Sequence, residues 1–283
     1  MLIDTHCHLN FGAFKDDAKE VAKISLEKNV WMINVGSQGT TSERAVLFAT
    51  EFEQGVYAAV GLHPSHLFEM EVSEEEIEFE SRAESFDYDY YKKLASNDKV
   101  VAIGETGLDY HYIPEHGQMN GVKEKQTEVF RKHLDLATEL NLPVIVHARE
   151  TYDEIAEIVQ GYINEDKLQK RGVLHCYLGN WDQAQKFLDM GFLISFTGVI
   201  TFPPKKSQLR QHADLTEVLN NIPLEKIMVE TDAPFLSPVP HRGERNLPFY
   251  VEEVAKKISE IKKVSFEEVA DTTTKTAREF FKI

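Results

Sequence analysis

Short apolar, β-branched runs alternate with longer segments of helical periodicity along the chain. The runs are Leu2–His6, Val30–Val35, Val56–Gly61, Val100–Glu105, Pro143–His147, Gly172–His175, Phe192–Phe196 and Ile227–Asp232, and each gives way to a polar turn. Between them Lys15–Lys28, Thr41–Glu53, Lys123–Leu140, Thr151–Gln160, Trp181–Met190 and Gln208–Asn220 repeat apolar residues at helical spacing, and Leu247–Ile261 and Phe266–Lys282 close the chain. Pro248 stands where a first helical turn tolerates proline, and Gly191 follows Met190 where a helix is commonly ended. Strands that alternate with helices predict a parallel sheet with right-handed crossovers, which closes into a (β/α)8 TIM-type barrel at about 250 residues. The expectation is therefore one barrel domain over residues 1–283. A doubly wound open sheet is the alternative, but it would place a glycine-rich turn after the first strand, where this chain has His6-Cys7-His8.

Composition narrows the function. The chain has 283 residues, 42% of them hydrophobic, and a formal net charge of -16. That charge argues against gripping long nucleic acid through a basic surface, though it leaves room for a site that takes one strand end through metal ions and a few arginines. Part of the excess lies in an acidic run from Glu69 to Asp89, with Glu74-Glu75-Glu76 and only Arg82 as a base, which reads as a solvated helix or loop face. The beginning Met1-Leu2-Ile3-Asp4-Thr5-His6 lacks a basic, then apolar leader, and no apolar stretch is long enough to span a bilayer, so a cytoplasmic protein is expected. Two cysteines, Cys7 and Cys176, cannot build a disulfide framework; each neighbours a histidine and should face away from it as a buried thiol.

Barrel active sites collect at the C-terminal ends of the strands, and metal-ligand residue types accumulate there. His6 and His8 end the first run, two residues apart and so on one face of an extended chain; Glu105, His147, His175 and Asp232 end four others, and Gly61-Leu62-His63-Pro64 ends the third. A single strand-end histidine is usually a hydrogen-bonded rim residue. So many ionisable groups converging without a metal would be costly to bury. Imidazoles with two carboxylates suit two divalent ions, and the spacing assigns His6, His8 and Asp232 to one, His147 and His175 to the other, with Glu105 shared. Imidazole-rich ligation accepts zinc or manganese, whereas magnesium prefers oxygen, so magnesium or manganese in catalysis and zinc or another transition metal in a crystal are all compatible.

These segments resemble the TatD family of metal-dependent deoxyribonucleases, within the amidohydrolase-like barrels. The resemblance is carried in order by Ile3-Asp4-Thr5-His6-Cys7-His8-Leu9, Gly61-Leu62-His63-Pro64 and Gly104-Glu105-Thr106-Gly107-Leu108-Asp109. It continues through Pro143 to Glu150, Gly172 to Tyr177, Glu230-Thr231-Asp232-Ala233-Pro234-Phe235-Leu236 and Arg242-Gly243-Glu244-Arg245-Asn246. The resemblance implies His6, His8, Glu105, His147, His175 and Asp232 as ligands of two metals, and His63 and Arg149 beside the scissile phosphate. It implies DNA ends as substrate and a 3′-to-5′ exonuclease. A monomer with no obligate protein partner and no membrane is expected. The long acidic run and the Thr201-Phe202-Pro203-Pro204-Lys205-Lys206 stretch depart from the pattern, on loops able to cover the site.

Further roles follow from position. Asp232 is the candidate base for an attacking water, Arg149 a bidentate phosphate grip, and His63 a donor to the phosphate or the leaving oxygen. Glu230 and Asp4 should lie deeper, behind the ligands. Asp109 is a turn-stabilising carboxylate or a partner of a ligand. Tyr110, Tyr112 and Phe202 are candidates to stack bases or to pack under loops. His66, His111, His116, His133, His212 and His241 lack strand-end placement and read as surface or loop histidines, although His111 and His116 fall near enough to the Glu105 turn to line a pocket. A small-molecule phosphoester, amide or lactone hydrolase is the nearest rival reading, and a non-catalytic scaffold is a third.

Overall fold

The computed structural model describes residues 1–74, 77–81, 83–111, 119–205 and 209–283. Expectations for Glu75, Glu76, Arg82, Tyr112, His116 and Lys206 lie outside the described residues.

One parallel sheet carries strands β1 (Leu2–Cys7), β2 (Val30–Val35), β3 (Val56–Val60), β6 (Val100–Asp109), β7 (Val144–Arg149), β8 (Gly172–Leu174), β9 (Leu193–Phe196) and β10 (Ile227–Val229), neighbours in that order. The sheet closes: Cys7 and Ala233 form a parallel bridge, the Asp232 N–H donates to His6 O at 2.8 Å, and the His8 N–H donates to Ala233 O at 2.7 Å. This is the expected (β/α)8 barrel, and the closure draws the first and last strand ends, with His6, His8 and Asp232, to one place. The strands carry near-continuous apolar residues, because a sheet wrapped by helices is buried on both faces. Ile33, Ala59, Val101, Ile145, Val173 and Met228 belong to one buried cluster that also takes in Ala277 and Phe281 of the last helix. The larger cluster lies between strands and helices.

Three features depart from the sequence expectation. The acidic run is neither one helix nor a plain loop: Met70–Glu74 and Ile77–Ser81 form an antiparallel pair (β4, β5), and a helix follows at Tyr88–Ala95 (α3). The alternation Met70, Val72 against Glu71, Ser73 is a strand signal that the surrounding acids hide. In α3, Asp87 caps the N-terminus by accepting the Tyr90 N–H at 3.0 Å, and Tyr91 is wholly buried.

The second departure is β6, which does not end at Glu105 but continues to Asp109, every residue buried. Gly104 and Gly107, expected to mark a turn, have φ of 154° and 149°, where side chains are disfavoured. They let β6 press against β7 (a Cβ at Gly104 would lie 2.7 Å from Ile145 O, and one at Gly107 would overlap His147 O). The third concerns histidines. His133, on helix α4 (Met119–Leu140), is fully buried, and His66 is buried too, so neither is a surface residue.

Candidate metal centre

All the strand-end residues meet at the mouth of the barrel. His8 Nε2 stands 3.2 Å from His6 Nε2 and 3.2 Å from Asp232 Oδ1. His6 Nε2 is 3.5 Å from Glu105 Oε2 and 3.7 Å from Asp232 Oδ1, and its ring stacks on His175 at a 3.6 Å centroid separation. Glu105 sits in the middle: its Oε1 is 3.0 Å from His147 Nδ1, 3.4 Å from His63 Nε2 and 3.7 Å from His175 Nε2. Among the described residues three compact groups have metal-ligand character: His6, His8 and Asp232; His63, Glu105 and His147; and His6, His175 and Glu230. His147 and His175, expected as a pair, both approach Glu105 but belong to different groups, with His175 against His6 and His147 against His63.

Hydrogen bonds behind the ligand atoms set the tautomers. His8 Nδ1 is 2.8 Å from Val35 O, a carbonyl that only accepts, so that nitrogen carries the proton and Nε2 presents a lone pair to Asp232 Oδ1. Two acceptors 3.2 Å apart in a buried site repel unless a cation or a proton stands between them. The same conflict recurs at His147. Its Nε2 donates to Asp109 Oδ2 at 2.9 Å, leaving Nδ1 to face Glu105 Oε1 at 3.0 Å. His175 Nδ1 lies 2.9 Å from Glu230 Oε1, off the line of a straight hydrogen bond, while Nε2 turns to Glu105 and Asp232. Glu230 also accepts the Cys176 N–H at 2.7 Å, so it braces the His175 segment from behind, as expected.

Electrostatics record the same shortage of positive charge. Burial opposes a proton on His147, but the hydrogen bonds and charges of Asp109 and Glu105 outweigh it and push its pKa up to about 9. Burial likewise opposes a proton on His175, and Glu230 and Glu105 override it to about 10. Burial would raise Glu105, yet the imidazoles of His63, His147 and His175 hold it well below the carboxylate range. Asp232 is also held low, burial being outweighed by His8, His175 and His6. Ionised carboxylates and imidazoles with inward lone pairs are the donor chemistry of a divalent-metal site, and this donor set fits one.

His63 differs from the ligand histidines. Its Nδ1 accepts the Ser65 backbone N–H at 3.1 Å, which caps the short helical turn Pro64–Leu67. Nε2 must then carry the proton in the neutral ring, and it points inward as a donor rather than as a lone pair. Arg149 is half-buried at the end of β7 and close enough to Asp109 for its charge to help hold that carboxyl down to about 2, behind the opposed effect of burial and the larger contribution of His147.

Asp4 is buried but turned to the β10 side: it accepts the Thr231 N–H at 2.8 Å and the Thr231 hydroxyl at 2.6 Å, fixing the segment that delivers Asp232. Burial raises its pKa well above the usual carboxylate range. Asp232 itself is at φ 59°, a left-handed conformation that aspartate tolerates better than most residues. Cys7 is buried and unligated as expected, with Sγ 3.5 Å from Ile33 O; Cys176 is only half-buried and sits at φ 45° rather than in a strand. Of the rim candidates, Arg242 lies 3.8 Å over the Phe202 ring and Lys123 lies 4.1 Å over Tyr110. Asn246 is wholly buried, its amide donating to Thr231 O at 2.9 Å and Phe235 O at 2.6 Å. Position alone missed Phe11, whose ring stacks on His8 at 4.2 Å; its place three residues past a ligand histidine was the available signal.

The comparisons agree with this architecture. Residues 3–282 match the family described as TatD related DNase. The chain is 37% identical to the uncharacterized metal-dependent hydrolase YabD of Bacillus subtilis, covering 100% of both chains. It is 33% identical to the uncharacterized metal-dependent hydrolase YcfH of Escherichia coli K12, over 100% of this chain and 96% of the relative. The crystal structure of YJJV, a TatD homolog from Escherichia coli K12, superposes with a TM-score of 0.82 at 27% identity, over 100% of this chain and 98% of that one. Among the described residues no helix is long and apolar enough to cross a membrane.

Proposed function

The chain belongs to the TatD related DNase family and is a metal-dependent hydrolase, and from that premise we propose that it removes nucleotides from the 3′ ends of single-stranded or frayed DNA. The observation that carries the reading is the convergence of His6, His8, Glu105, His147, His175 and Asp232 on one buried site, with a hydrogen-bond donor and a guanidinium at its edge. Those six residues would hold two divalent ions, magnesium or manganese in catalysis, with Glu105 between them because its two oxygens face different histidines. Bound there, the ions supply an acidified water and neutralise charge on the phosphate.

The chain's own groups do the rest. Asp232 is ionised and its side chain is partly open to solvent, so it is placed to take the proton of the attacking water. His63 donates from Nε2 to a phosphate oxygen or to the departing 3′ oxygen, its orientation fixed by Ser65. Arg149 offers two parallel N–H groups to the phosphate. The net charge of -16 fits a substrate taken by its end rather than along its length. The enzyme acts as a monomer in this reading.

Digestion of 3′-labelled and 5′-labelled single-stranded DNA, with and without Mg²⁺ or Mn²⁺, tests the proposal beside His147→Ala/Asp232→Ala protein. Metal-dependent release of mononucleotides from the 3′ end, lost in the double variant, is the expected result. Inert DNA under metal-loaded protein would refute it and turn the reading to a small phosphoester or amide substrate.

A further inference from the structure

Beside His8 the loops after β1 and β10 bring two half-buried aromatic rings together, Phe11 and Phe235. Phe11 lies nearly parallel to the His8 ring, 4.2 Å away with 19° between the planes. Phe235 stands almost perpendicular to both, 6.1 Å from His8 and 6.4 Å from Phe11. Nearly equal separations put Phe235 alongside the stacked pair. A ring capping the outer face of Phe11 would lie much farther from His8 than from Phe11. The two rings thus make a corner: Phe11 is its floor, with one face on His8, and Phe235 is its side wall.

The corner is anchored to the centre on both sides. Phe11 N–H donates to His8 O at 3.0 Å, and Phe235 N–H donates to Asp232 O at 2.8 Å, so each ring is held within one turn of a candidate ligand. A nucleotide whose phosphate occupies the site carries its base about one ring's distance to the side. Flat, sequence-independent aromatic surfaces are what single-stranded nucleic acid sites use for that base.

Resting on the nuclease reading above, we infer that Phe11 and Phe235 form the seat of the terminal base, and that the enzyme selects DNA ends that carry a base over abasic ends. Phe11 stacks the base and Phe235 limits its sideways movement. Stacking is indifferent to base identity, so purine and pyrimidine ends both enter, purines somewhat better for their larger face. Tyr110 and Phe202, singled out from position alone, already have Lys123 and Arg242 over their rings.

The test uses metal-loaded protein and two single-stranded oligonucleotides that differ only in a base or an abasic 3′-terminal nucleotide. The quantity read is the ratio of kcat/KM for the two ends. Wild-type protein is expected to favour the base-bearing end by about 5- to 100-fold, the range for removal of one stacked base. Phe11→Leu keeps apolar packing on His8 without a π-face, and should bring the ratio close to one, while Phe11→Tyr should restore it. A 3′-terminal 2-aminopurine gives a second readout, its fluorescence quenched on mixing with wild-type or Phe11→Tyr protein and much less with Phe11→Leu. Metal content, measured on each variant, separates loss of stacking from loosening of His8. An unchanged ratio in Phe11→Leu, with both rates lowered together, overturns the inference and leaves Phe11 as support for His8. Equal cleavage of both ends by wild-type protein overturns it while the nuclease reading stands. No cleavage of either end removes the nuclease reading and the inference with it.

Discussion

Replacing His133 with glutamine is expected to flatten the loss of stability in acid. The imidazole is fully buried on α4, donating from Nδ1 to Val129 O at 2.8 Å and accepting the Leu62 N–H at Nε2, 3.0 Å away. It therefore holds the backbone of the β3 end next to His63, and it does so only when neutral. Burial, against the smaller opposing effect of the Val129 hydrogen bond, pushes its pKa from 6.5 down to about 4. Because the folded value is depressed, the unfolded chain takes up the proton first as pH falls. The contribution is complete above pH 6.5, is lost between 6.5 and about 4, and changes little below that. With those two values the loss between pH 7 and pH 5 comes to about 2 kcal/mol. Glutamine can offer Oε1 to the Leu62 N–H and has nothing to titrate. Urea unfolding of chelator-treated wild-type and His133→Gln proteins at pH 7 and pH 5 measures the difference, with every other titrating group present in both. Wild type should lose about 2 kcal/mol more than the variant over this interval. Equal losses would show that His133 is not a neutral, acid-sensitive anchor.

Other substitutions probe the centre directly. Glu105→Gln keeps the shape but removes the charge that every group around it faces, and should lower hydrolysis by more than about a thousandfold and metal retention by calorimetry in parallel; retained metal affinity would contradict a shared ligand. Asp109→Asn leaves an uncharged partner for His147 Nε2, and about a 10- to 100-fold fall in metal affinity or activity is expected, read by metal titration. Gly107→Ala sets a Cβ against His147 O where β6 and β7 are closest, and should destabilise the fold by about 1–3 kcal/mol in urea titrations; unaltered stability would mean that the two strands separate easily there. Arg149→Lys retains charge without the planar fork, and is expected to raise KM for DNA ends more than it lowers kcat, checked by steady-state kinetics.

The barrel was legible in the chain because each strand is apolar through and through and each helix keeps its period, so the eight-stranded closure needed no single decisive residue. The ligand positions were legible for a related reason: strand ends on one rim of a barrel converge whatever the sequence between them. What stayed hidden was local. A run dense in glutamate looks solvated, and Met70, Val72, Ile77 and Phe79 are too few to announce a hairpin against it. Gly104 and Gly107 read as a turn although they serve a close approach of two strands, and only that approach carries Asp109 to His147. His133 was read as a surface residue because burial of a polar side chain depends on a partner 71 residues away, and no local pattern contains that partner.

The ligand histidines differ in what stands behind them, and that difference ranks their tolerance to change. His8 leans on Val35 O, His147 on Asp109 and His175 on Glu230, each a group delivered by a neighbouring or nearby strand end. Each support fixes a tautomer as well as an angle, so losing it costs the lone pair's direction and not merely a contact. His6 has no such partner among the described residues: its Nδ1 is buried without a hydrogen bond. It is held by the His175 ring on its face and by the closure of β1 against β10, where Asp232 N–H reaches His6 O. Burial, with His175 and His8 beside it, lowers the pKa of His6, so the ring enters the site neutral, with Nε2 directed at Glu105 and Asp232. The seam of the barrel is therefore part of the metal centre, since the backbone bonds that close the sheet also aim the histidine and the aspartate that face each other across it.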